Sequence, residues 1–132
     1  MKKIIITTIL LTLLIPVSSA QALTKSISTK NNKNSCKFIK TKYQSEAMIN
    51  WATGKATDDD MLKEIDENII MLSKRVKLTS GSINTAVKSW ITAEKNTKTA
   101  LQIKNVNSVV KAMDLKFSSV TKFDQLCKSI KS

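Results

Sequence analysis

Apolar positions recur at alternating spacings of three and four through residues 57–78, TDDDMLKEIDENIIMLSKRVKL. Leu62, Ile65, Ile69, Leu72 and Val76 fall on one side of a helix, and Met61 and Ile70 widen that stripe. Thr57 is a favourable N-cap, and Asp60 three residues on completes a capping-box-like pair. Asp58, Asp59 and Asp60 occupy the first turn; Lys74, Arg75 and Lys77 occupy the last turns. Both placements suit the helix dipole. Ser80-Gly81 is the expected stop. One amphipathic helix of this length cannot bury its own stripe, so the chain must supply partners.

Cys36, Ile39, Tyr43, Ala47 and Trp51 form a second stripe and predict a first helix over about 35–53, with Gly54 as its stop. Phe38, Met48 and Ile49 lie off that stripe. A third helix starts near Ser82 and carries Ile83, Val87, Trp90, Ala93 and Leu101, with Glu94 and Thr97 on the same face. No Pro or Gly marks its end, and a turn is expected near 104–107. A fourth helix, about 106–130, gathers Val106, Val109, Met113, Phe117, Val120 and Cys127 on one face.

Residues 1–22 read as a signal peptide ahead of these helices. Lys2-Lys3 form a basic start, residues 4–17 an apolar run, and Ala20 and Ala22 close two small-residue sites. The run is shorter than the ~20 residues a spanning helix needs, and Pro16 interrupts it. Cleavage is expected after Ala22. Residues 23–35, LTKSISTKNNKNS, are polar and low in complexity, and predict a disordered basic spacer. The helical domain is then 36–131.

The chain has 132 residues, a formal net charge of +12, and only two cysteines. From Leu23 onward the charge is +10, because Lys2 and Lys3 fall in the leader. Every basic residue except Arg75 is a lysine. Lysines are hydrated point charges, suited to diffuse attraction rather than bidentate phosphate recognition. The charge either draws the protein to anionic surfaces or serves solubility alone.

In an oxidising compartment Cys36 and Cys127 are expected to form one disulfide. It would close a loop of about ninety residues, with a chain-entropy contribution of roughly 4 kcal/mol. That bond helps choose a topology. In an up-down-up-down four-helix bundle the two cysteines stand at the same pole. In a three-helix arrangement they would be ~30 Å apart, whereas a disulfide needs Cα atoms within about 7 Å. The predicted fold is therefore an all-α, up-down-up-down four-helix bundle closed by one disulfide. The alternative is a three-helix bundle with a long third helix over about 82–113.

Catalytic chemistry is poorly provided for. There is no histidine to act as base or metal ligand, and only Gly54 and Gly81 are available for a phosphate loop. The Asp58–Asp60 run lacks the alternation of a calcium loop and reads as a charged helix start. Met48, Met61, Met71 and Met113 read as core filler rather than haem or copper ligands. No cofactor or metal is expected.

Two groups of residues stand out. Lys40, Glu94 and Asp124 fall on inner faces, and Glu94 is expected to pair with a lysine, Lys40 being one candidate. Lys104, Lys111 and Lys122 fall together on the outer face of the fourth helix, because seven and eleven residues are close to whole numbers of turns. They form a candidate basic contact face.

These features predict an exported, non-enzymatic, basic helical interaction protein at the cell envelope or outside the cell. Its expected partner is an anionic envelope polymer or a surface protein. A membrane surface is a further option, through a membrane-active, toxin-like cationic protein. A small-ligand carrier using the interior is another. Sequence-specific nucleic acid binding is not expected, because the aromatic residues do not interleave with the lysine face.

Overall fold

Helix α3 (Asp58–Val76) begins where its cap signal stands in the computed structural model, which describes residues 16–130. The Thr57 hydroxyl accepts from the Asp60 N–H at 3.2 Å, and the Asp60 carboxylate accepts from the Thr57 N–H at 2.9 Å. The remaining elements are α1 (Pro16–Lys42), α2 (Glu46–Ala52), α4 (Gly81–Gln102) and α5 (Val106–Ser129). No strand occurs among the described residues.

The turn between α4 and α5 is set by Lys104, whose φ of 54° ends helical geometry. Asn105 then caps α5, its side chain accepting from the Ser108 N–H at 3.0 Å. This break excludes the continuous third helix of the three-helix alternative.

Packed helices run antiparallel, and cross-links fix their register. Cys36 and Cys127 form a disulfide with Cα atoms 5.8 Å apart. One turn further along, Lys40 meets Asp124. Asn32 brackets Ser80 with two hydrogen bonds, and the Arg75 guanidinium lies 3.5 Å over the Phe38 ring. Asp66 meets Lys98 across α3 and α4, and Glu94 meets Lys116 across α4 and α5. In every pair residue numbers rise on one helix as they fall on the other.

Three expectations need correction. Residues 23–35 are not a disordered spacer; they are helical and belong to α1. No Gly or Pro interrupts them, and Thr24 and Thr29 hydroxyls donate to carbonyls four residues back. Ser28 and Asn32 then tie the helix to Ser80. Second, the first predicted helix is not continuous over 35–53: it breaks between Lys42 and Glu46. Third, the predicted α5 face holds in part: Val109, Met113, Val120 and Cys127 pack in the core, but Val106 and Phe117 are exposed, and Ala112, Lys116 and Phe123 are buried as well. The expected leader falls on residues 1–15, which lie outside the described residues, and on the first turns of α1.

The core is divided. One apolar cluster, around Ile39, Leu72, Val87, Trp90 and Phe123, surrounds the buried Cys36. The other, around Met48, Met61, Ile65, Leu101 and Val109, fills the end under α2. Asn68, Glu94, Thr97 and Lys116 are buried between the two clusters' residues along α3, α4 and α5, and Glu64 is buried beside Met61 and Ile65. Among the described residues no helix is long and apolar enough to cross a membrane.

Candidate functional site

The buried polar groups are held by α3, α4 and α5 together with the stretch 43–47. Asn68 and Glu64 stand one turn apart on α3, on the face that also carries Met61, Ile65 and Leu72. Asn68 reaches the interrupted backbone after α1: its amide donates to the Gln44 carbonyl at 2.8 Å and accepts from the Gln44 N–H at 3.2 Å. Glu64 accepts from the Ala47 N–H at 2.7 Å, in the first turn of α2. Side chains from α3 thus replace helical hydrogen bonds lost at the break.

Across the core, α4 contributes Trp90 and Glu94, one turn apart. The Trp90 indole N–H donates to Glu94 Oε1 at 3.2 Å, and the Tyr43 hydroxyl makes a longer 3.4 Å contact with the same oxygen. From α5, Lys116 places Nζ 3.0 Å from Glu94 Oε2. That contact is close enough for an ion pair but lies off hydrogen-bond alignment, so neither atom gains an aligned partner. The Tyr43 ring packs edge-on against Trp90, which packs in turn against Phe123.

Burial dominates the electrostatics here. It pushes the Glu94 carboxyl above its ordinary value, and the Lys116 ammonium with the Trp90 and Tyr43 donors offsets only part of that rise. Burial also raises the Tyr43 phenol, with the Glu94 and Glu64 carboxylates adding to the effect. Glu94 and Lys116 are 0% and 1% exposed. A carboxylate and an ammonium closed off to that degree hold helices in register and present nothing to a substrate from solution.

The expected trio is not assembled. Glu94 pairs with Lys116 and not with Lys40. Lys40 instead pairs with Asp124 at 2.5 Å on the surface, and Asp124 also accepts from Lys128 at 2.6 Å. The reason is register: Lys40 is one turn past Cys36, so the disulfide sets it level with Asp124. The two lysines hold the Asp124 carboxyl below its ordinary value. An interior ligand site using both Glu94 and Asp124 therefore loses one acid. Two residues that the pattern could have revealed were passed over. Asn68 interrupts the α3 seam, and Lys116 stands seven residues from both Val109 and Phe123.

The acidic run is engaged locally. Asp60 caps α3, which holds its carboxyl below the ordinary range through the Thr57 N–H and hydroxyl, and Asp58 accepts from the Trp51 indole at 2.7 Å. Among the described residues no group of three or more His, Cys, Asp or Glu is placed to hold a metal ion.

The lysine stripe is also altered. Lys111 and Lys122 are exposed on α5, but Lys104 sits in the preceding turn with left-handed backbone and is off the helix face. A larger charge pattern replaces it. Seven of the ten acids lie between Glu46 and Glu67. At the opposite pole stand Lys25, Lys30 and Lys33 on α1, Lys74, Arg75 and Lys77 at the end of α3, and Lys122 and Lys128 on α5. The acid at that pole, Asp124, is already held by two lysines. The molecule therefore has one strongly cationic end. Comparison with known families, characterised proteins and solved structures finds no match.

Proposed function

We propose that this is an exported, non-enzymatic interaction protein that works at the cell envelope or outside the cell, with its cationic pole as the contact surface for an anionic partner. Its fold in this reading is an up-down-up-down four-helix bundle, in which α1 and α2 together take the first position. The antiparallel cross-links and the disulfide support that topology. A disulfide bond is consistent with an extracellular location, and the basic-apolar-small order of residues 1–22 supports export.

The observation that carries the reading is the separation of charge. A basic composition spread evenly would serve solubility. Here the acids are withdrawn from one end, so that its lysines act together, and summed fields of one sign steer anionic partners. The sealed Glu94–Lys116 pair and the lack of histidine support a binding role over a catalytic one.

Sedimentation of the exported protein with isolated cell envelopes tests the proposal. Binding at low salt that is lost at high salt is expected, because exposed charges are screened over ~10 Å at 0.1 M. Binding that is indifferent to salt contradicts the electrostatic contact, and failure to sediment at low salt overturns the reading.

A further inference from the structure

We infer that the partner of the cationic pole is the face of an anionic phospholipid bilayer; this rests on the proposed function and names its target. Ser28 and Asn32 stand level with Ser80, in the turn between α3 and α4. Because α1 is continuous, its earlier residues run past that turn, and at 1.5 Å per residue Leu23 lies about 8 Å beyond Ser28. This overhang carries Lys25, with Lys30 and Lys33 just behind it, but it is not purely polar. Leu23 and Ile27, one turn apart on the same face, are 63% and 52% exposed, and Leu78 in the neighbouring turn is 49% exposed.

A soluble polyanion would neutralise the lysines and leave three large aliphatic side chains in water. A bilayer interface accepts both. Its headgroups take the cations, and the boundary with the acyl chains takes the apolar side chains. Lys74, Arg75 and Lys77 flank Leu78 in sequence, which puts charge and apolar surface within one turn of each other. The preference for lysine over arginine fits the same target, since a fluid anionic surface offers diffuse charge rather than fixed bidentate sites. The docking needs no opening of the core, because these side chains are already exposed.

The test uses protein recovered after export, its N-terminus established by mass spectrometry. Co-sedimentation is measured with phosphatidylcholine vesicles, with vesicles that also contain phosphatidylglycerol, and in competition with soluble polyphosphate. The inference expects binding to the anionic vesicles only, weakened about fivefold for each of Lys74→Gln and Lys77→Gln. It also expects loss on combining Leu23→Asn, Ile27→Asn and Leu78→Asn with helix content unchanged by circular dichroism. Equal binding to neutral vesicles overturns the inference. So does full binding by the triple Asn variant. Binding to polyphosphate or to envelopes without anionic vesicles overturns the lipid assignment and leaves the proposed function standing. Binding to none of these overturns both.

Discussion

Lys116 shows how much one residue decides. Its side chain replaces an apolar one at a core position of α5, and it is there because Glu94 is buried opposite. Removing one partner of such a pair leaves the other charge alone in the interior, which costs about 3–5 kcal/mol. Lys116→Met is therefore expected to lower stability by about 3 kcal/mol or more, read as a lower urea midpoint at pH 7. Joint replacement, Glu94→Leu with Lys116→Met, is expected to recover most of that loss, since a matched apolar pair needs no desolvation. A double variant less stable than either single one contradicts the assignment.

The Glu94 pKa makes a second prediction with a definite sign. Its folded value is raised above the ordinary 4.5, so the native state binds the proton more tightly than the unfolded state. Its contribution is fully present below 4.5 and is lost as pH rises toward the folded value. Asp60 and Asp124 act in the opposite direction. Their lowered values make stability fall as pH drops below the ordinary aspartate value of 3.8. In urea titrations Glu94→Gln should remove the decline above pH 4.5 and keep the acid-side decline. The pairing of Glu94 with a lysine was legible as a need; the identity of the lysine was not. A lysine defaults to the surface, and drawing the α5 stripe through Phe117, which is exposed, passed over its buried neighbour Lys116.

At the scale of elements, caps and periodicity carried most of the reading. α3, α4 and α5 have caps or turns at their predicted ends, and the α4 stripe of Ile83, Val87, Trp90, Ala93 and Leu101 is buried throughout. The first segment was hidden for two reasons. Residues 23–35 have no apolar period, so nothing local announces a helix held by Ser80 and the disulfide. The break after Lys42 is set by Asn68 and Glu64, more than a dozen residues away in sequence, and no local signal encodes it. Asn68→Ala is accordingly expected to cost ~1 kcal/mol by removing its two hydrogen bonds to the Gln44 backbone. Amide exchange at Gln44 should accelerate with it. Loss of stability with no change at that amide would mean that Asn68 does not hold the break.

For the whole molecule, the disulfide and the distribution of charge matter together. α1 meets α5 chiefly around Cys36 and Lys40, so the disulfide holds the overhanging helix to the rest of the core. Cys36→Ser with Cys127→Ser is expected to lower unfolding free energy by roughly 4 kcal/mol, measured by urea denaturation, with α1 the first region to gain exchange. The charge total was plain from composition. Its concentration at one pole was not, because that depends on which helix ends lie together. The direct test compares two triple variants of equal net charge: Lys74, Arg75 and Lys77 to Gln, and Lys55, Lys104 and Lys111 to Gln. Envelope binding is measured for each as a function of salt. The account predicts that the first set loses binding and most of its salt dependence while the second stays near wild type. Greater loss in the second set would contradict the cationic pole as the contact surface.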